Sequence, residues 1–432
     1  MNLSLRDCPG LSPAEPSRMS RQDQAHLELC LPYHPDRALA AASKLRSLGR
    51  SSQDVSYLLT QARLRTKAQQ KFGQQAQKLL LTEAGYEQAS RPTLASYRAQ
   101  RLAQSGLSNI LDLGCGIGTD SLAFAAANLG VRAVELDKET ASFAAHNLAD
   151  YPTARVFCGD LTQLSPDFLA RYCQQHRAGI WLDPARRKTG QGPRAERIFD
   201  PQEFAPPFSY ILDLAQTGLP LAVKLGPATA HELIPQAAEA QWISQSGTVL
   251  ELILWFNGLA RKGISRAAST IDPQGQLCTE ITSSSSQSRP AKIADLETYL
   301  YEPDGAVIRS HLVADLAREL GAHLIDRNIA YLSSQHYRPH PAAQAYRVLA
   351  TMPVNLKLLK RWVREENISS LTIKKRGLDI RPEDLRKKLL AGTGKGSKGQ
   401  EATLILTRIG QGKQSQRIAI QAQPIPHPSK MT

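Results

Sequence analysis

The stretch "ILDLGCGIGTDSLAFA", Ile110 to Ala125, decides the fold. An apolar run closes on Asp112 and Leu113. Gly114, Gly116 and Gly118 then make a tight turn, and a helix is expected to begin near Thr119. Glycines let backbone pass close to a ligand, and a helix N-terminus offers its N–H groups to one. Taken alone, a GxGxG turn suits NAD, FAD or S-adenosylmethionine, or is only a tight connection between strand and helix.

Downstream the same texture repeats. "VRAVEL", "ARVFC" and "GIWLD" are short apolar or β-branched runs separated by helical stretches. The acids that close the successive runs are Asp112, Glu135, Asp160 and Asp183, spaced 23, 25 and 23 residues apart. That spacing fits a βα repeat and predicts an α/β fold with a parallel sheet. Further strands are expected at "LPLAVKL", "TVLELILWF" and "ISRAASTI", the last two as a hairpin. The fourth run exits through "IWLDPARRK", Ile180 to Lys188, a charged corner at the edge where open α/β sheets bind ligands.

The pattern of two apolar residues, Asp, one apolar residue and GxGxG resembles the first motif of class I S-adenosylmethionine-dependent methyltransferases. The resemblance implies a Rossmann-like sheet and S-adenosyl-L-methionine as cofactor. Asp112, with Gly114, Gly116 and Gly118, would hold the methionine end. Glu135 would accept hydrogen bonds from the ribose hydroxyls, and Asp160 would lie beside the adenine amino group. Each acid alone could equally be a helix N-cap or a solvated strand end. Many amino-group methyltransferases carry [DNS]-P-P-[YFW] at the fourth strand, and here Asp183 and Pro184 match while Ala185 and Arg186 depart. Asp183 and Pro184 are the candidate catalytic residues. Arg186 and Arg187 are candidates for gripping substrate phosphates, or for structural ion pairs. A dehydrogenase would prefer GxGxxG, and here the third glycine comes one residue early.

The whole chain of 432 residues carries a formal net charge of +14, which favours a polyanionic partner, with a basic protein that has no such partner as the alternative. Between Tyr337 and Lys413 there are 17 Lys or Arg against 6 Asp or Glu. "LTIKKRGLDI", "PEDLRKKLL" and "EATLILTRI" read there as strand, helix and strand. "GTGKGSKGQ" lacks the GK[ST] spacing of a P-loop. Six scattered cysteines show no metal spacing, and no metal is expected. No signal peptide or membrane span is expected either, which points to a reduced, cytoplasmic chain.

Composition divides the chain into a disordered tail over 1–30, a helical N-terminal subdomain over 31–105, and the α/β domain over 106–282. A linker and helical connector over 283–335, a basic module over 336–425 and a tail over 426–432 follow. In the helical region Val55, Leu58, Leu59 and Leu64 recur at helical spacing.

The blocks "KFGQQAQKLLLTEAGYEQAS", "DLGCGIGTDSLAFA", "DPARR", "VKLGPA", "EPDGAVIR" and "IKKRGLDIRPEDLRKKL" occur in one order. They resemble a bacterial family of class I methyltransferases with a C-terminal α+β THUMP-like module. The catalytic part is distantly similar to the trimethylguanosine synthase family. The resemblance implies RNA as substrate, and it suggests that the "KFG" and "EQAS" blocks cover the cofactor; Lys71 and Gln88 in them equally suit a helix surface. A protein or small-molecule substrate, or an RNA-binding protein with a vestigial methyltransferase fold, are the alternatives.

Overall fold

The computed structural model describes residues 3–17, 19–185, 200–285, 290–391, 399–410 and 415–428. The chain forms two compact units, Met1–Leu225 with Ile253–Arg261, and Gly226–Leu252 with Lys262–Thr432.

The first unit begins with the short strand β1 (Ser12–Pro13) and five helices: α1 (Arg21–Glu28), α2 (Ala38–Ser47), α3 (Ser52–Phe72), α4 (Glu83–Gln88) and α5 (Pro92–Gln104). Capping boxes start α1 and α3. Ser20 and Ser51 accept from the amides of Asp23 and Asp54, whose carboxylates accept from the cap amides in return. Along α3 the expected apolar face is buried at Val55, Leu58 and Leu64, while Leu59 lies at its margin. The tail expected to be disordered over 1–30 is instead structured where described. Leu5, Leu11 and Leu27 are buried, which offsets the entropy of ordering a polar, proline-bearing segment.

Strands and helices then alternate: β2 (Asn109–Leu113), α6 (Thr119–Ala126), β3 (Gly130–Glu135), α7 (Lys138–Asn147), β4 (Ala154–Cys158), α8 (Pro166–His176), β5 (Ala178–Leu182), α9 (Phe208–Gln216) and β6 (Leu221–Leu225). The sheet order is β1-β4-β3-β2-β5-β6. All of these pairs are parallel except β1 with β4. All five residues of β5 and of β6 are buried, as expected of central strands covered on both faces.

β7 (Glu239–Gln245) belongs to the second unit, and β8 (Thr248–Phe256) passes into the first at Ile253. β9 (Arg266–Ile271) and β10 (Leu277–Ser283) follow. The expected hairpin of β8 with β9 does not form, because β7 stands between them and runs parallel to β9. β7 was hidden in the sequence by its polar residues. Gln241 is buried and donates to Ser269 Oγ (2.7 Å) and Glu280 Oε1 (3.1 Å), so its amide is satisfied by side chains of the neighbouring strands.

A second sheet completes this unit. Its elements are β11 (Tyr299–Pro303), α10 (Gly305–Arg309), α11 (Val313–Leu320), β12 (His323–Asp326), β13 (Ile329–Ser334), β14 (Ala343–Pro353), α12 (Leu356–Glu365), β15 (Ile368–Lys375), α13 (Pro382–Leu389), β16 (Gln400–Ile409) and β17 (Gln416–Pro424). The order is β12-β13-β11-β14-β17-β16-β15. The stretch 283–335, expected as linker and connector, therefore supplies three of the seven strands. The expected strand–helix–strand run is present, with β15 and β16 parallel. Leu359, Trp362, Val363, Ile373, Leu404 and Leu406 form the core beneath α12. Among the described residues no helix is long and apolar enough to cross a membrane, and no metal-ligating cluster occurs.

Candidate functional site

Parallel register brings the four acid-tipped strands to one edge of the first sheet. Leu113 pairs with Val134 and with Leu182, Glu135 with Cys158, and Leu182 with Val223. The residues that follow them emerge side by side.

Gly114, Gly116 and Gly118 all have positive φ, at 83°, 55° and 81°, a region that L side chains rarely adopt. A side chain at Gly116 would meet nothing within 4 Å, so the turn is open on that side. The first residue of α6 follows Gly118 without a side-chain cap, which leaves the helix N-terminus facing the open turn. Ile117 is buried under the N-terminal helices with Leu64, Ala68 and Phe72. Asn147 ties the turn to the same region, donating to Ile117 O (2.9 Å) and Leu80 O (3.1 Å).

Asp112 is 1% exposed, and its Oδ2 accepts from Ser121 Oγ at 2.5 Å. Burial, with Asp120 and Asp183 adding like charge, lifts its carboxyl to about 8. Glu135 is half-buried. One oxygen accepts from the Gly116 amide (2.9 Å) and the other from the Asp137 amide (3.0 Å). Burial raises its carboxyl, and those amides partly offset the rise. Asp160 caps the turn Leu161–Gln163, accepting from Thr162 N (2.9 Å) and Thr162 Oγ1 (2.8 Å). One of its oxygens is thus engaged as the N-cap that its sequence position allowed.

Asp183 stands where β5 ends, and its backbone carbonyl lies 3.9 Å from where a side chain at Gly114 would begin. Its carboxylate pairs with Lys224 at the end of β6. Pro184 follows, and Ala185 exchanges backbone hydrogen bonds with Ala205 (2.9 and 3.1 Å). Arg186 and Arg187 lie outside the described residues.

The sequence reading missed a buried row of charge behind Asp183. Lys224 also lies 3.8 Å from Asp120, and Asp120 meets Arg98 at 2.5 Å. Ser90 Oγ accepts from both Arg98 and Lys224, each at 2.9 Å. Burial alone would raise the Asp120 carboxyl, but the Arg98 and Lys224 charges outweigh it and hold it below the ordinary range. Lys71 donates to Tyr86 O at 2.8 Å, and burial beside Lys224 and Arg91 brings it down to about 8. The signal for Lys224 was available: a lysine inside the apolar run "LAVKL" is costly to bury without a partner. "KFG", "EQAS", "GTDS", "DPA" and "VKL" thus meet in one charged cluster.

Residues 343–424 match the model of a THUMP domain-like family. An uncharacterised S-adenosylmethionine-dependent methyltransferase of Mycobacterium tuberculosis, strain CDC 1551, is 30% identical over 80% of this chain and 89% of its own length. Its counterpart in strain H37Rv matches to the same extent. The crystal structure of a Porphyromonas gingivalis W83 protein assigned as a methyltransferase superposes with a TM-score of 0.72. It is 19% identical and covers 95% of this chain and all of its own, so the likeness speaks to fold.

Proposed function

This chain belongs to the S-adenosylmethionine-dependent methyltransferases, and we propose that it methylates RNA, with the basic C-terminal module holding the substrate strand. The observation that carries the catalytic part is the adjacency of the open Gly114–Gly118 turn and the Asp183 corner on one sheet edge. Their geometry suits the cofactor. The turn has room at Gly116, Glu135 is anchored by two amides with lone pairs to spare for a diol, and Asp112 is a buried acid beneath the turn.

Bound S-adenosyl-L-methionine supplies an electrophilic methyl on a sulfonium. In this reading Asp112 holds the methionine ammonium, Glu135 the ribose hydroxyls, and Asp160 the adenine side. Asp183 accepts a hydrogen bond from the nucleophile and aims its lone pair along the displacement axis, with the Pro184 turn fixing the approach. Arg186 and Arg187 are assigned to phosphates of the substrate.

Two features support RNA. The THUMP domain-like match covers β14 through β17. The same stretch exposes Arg347, Lys357, Arg364, Lys375, Lys387 and Lys388, cationic side chains of the kind that pair with a phosphate backbone. The test is label transfer from radioactive cofactor to total RNA of a strain lacking the enzyme, followed by nucleoside mapping. Label in RNA at one nucleoside supports the reading. Label in protein alone overturns it.

A further inference from the structure

Lys224 occupies the middle of the charged row and has no part in the roles assigned so far. It stands on β6 beside β5, and the pairing of Leu182 with Val223 sends Asp183 and Lys224 off the sheet together. Behind it lie Asp120, Ser90 and Arg98; in front lies Asp183. Side-chain exposure rises along the row, from 0% at Arg98 and 9% at Asp120 and Lys224 to 24% at Asp183. The inner end is therefore sealed, and the outer end opens where the substrate must arrive. A buried ammonium needs anions and acceptors around it, and one of those around Lys224 is the acceptor-side carboxylate.

We infer that Lys224 is a positioning residue for methyl transfer: it fixes Asp183 as an oriented anion and ties it, through Asp120, to the first turn of α6. The inference rests on the role proposed for Asp183. A carboxylate held by an ammonium keeps its direction, so its remaining lone pairs point consistently at an incoming donor. The second anchor, Asp120, lies two residues after Gly118. Lys224 therefore links the acceptor corner to the turn assigned to the cofactor.

A substrate-free test uses the full-length protein carrying Asp183→Cys, with and without Lys224→Met. Alkylation of residue 183 by iodoacetamide is followed against pH by peptide mass spectrometry. With Lys224 present the thiolate forms below the ordinary midpoint of about 8.5. Lys224→Met raises the midpoint by about one pH unit or more, slowing alkylation at pH 7 about tenfold. Equal midpoints overturn the inference.

Transfer to total RNA supplies the second arm. Lys224→Met lowers kcat about tenfold or more with KM for the cofactor nearly unchanged, as expected for a group acting in the transition state. Lys224→Arg restores most of the rate, and Lys224→Met adds little to Asp183→Asn. A loss that Lys224→Arg does not rescue, or that is as large beside Asp183→Asn, overturns the inference. Binding of S-adenosylhomocysteine by each variant verifies folding. If the wild-type enzyme labels no RNA, the RNA reading fails, and the thiol titration still decides the case of Lys224.

Discussion

Lowering the pH from 7.5 to 5.5 is expected to weaken binding of S-adenosylhomocysteine by roughly 80-fold, about 2.6 kcal/mol, through Asp112 alone. The carboxyl lies buried in β2 and is lifted to about 8 by burial and by the neighbouring Asp120 and Asp183. A ligand ammonium binds the ionised form. In the free protein that form falls about tenfold for each pH unit well below 8. The ligand's own ammonium stays charged across this range, so the slope reports the protein. Isothermal calorimetry at half-unit steps gives the profile. Asp112→Asn should bind more weakly at pH 7.5 and with a flat profile. A wild-type Kd constant within twofold from pH 7.5 to 5.5 would refute the assignment of Asp112 to the methionine end. The same shift has a stability consequence of definite sign. The folded chain holds a proton on Asp112 that the unfolded chain releases above about 4. This contribution is therefore fully present below about 4 and is lost as pH rises through about 8.

Three other outcomes follow from the site and its surroundings. Glu135→Ala removes an acceptor from the Gly116 and Asp137 amides and should weaken S-adenosylhomocysteine about 10- to 100-fold by calorimetry, since lost hydrogen bonds to a charged group cost about 1.5–3 kcal/mol. Arg98→Met leaves Asp120 buried with one fewer cation and should cost about 3–5 kcal/mol in denaturant unfolding; a change below 1 kcal/mol on the same roughly two-state scale would contradict a structural ion pair. Lys387→Gln with Lys388→Gln should reduce the salt dependence of RNA binding, measured by fluorescence anisotropy, by about 0.7 in log–log slope per lysine. An unchanged slope would place the RNA contact elsewhere.

The fold was legible where local chemistry and pattern agree. "ILDLGCGIGTDS" joins an apolar strand, three glycines in left-handed conformations and a helix start, and each part demands the others. The even spacing of Asp112, Glu135, Asp160 and Asp183 likewise read out the parallel register, because each βα unit has the same length to span. What stayed hidden depended on pairing across distance. β7 carries Gln241 and Gln245 in a buried strand, and only distant partners make those side chains tolerable: Ser269 and Glu280 for Gln241, and the Asp272 carbonyl for Gln245. The strands at 299–303, 323–326 and 329–334 sit in a stretch whose serines and helical runs suggested a connector. Of the charge row only Lys224 was marked, by its place inside the apolar run "LAVKL"; its partners were hidden for the same reason. Ser90 and Arg98 lie more than a hundred residues from Lys224, with Asp120 between them in the chain, and nothing local says that one cation answers two acids. Asp160 shows the opposite case, where the local N-cap alternative is realised beside the position expected of a cofactor contact.

Label transfer decides which acceptor receives the methyl group. Purified enzyme, radioactive S-adenosylmethionine and total RNA from a strain lacking the enzyme should yield label in a single methylated nucleoside, lost with Asp183→Ala. Label confined to protein or to small molecules, with none in RNA, would exclude RNA as the acceptor.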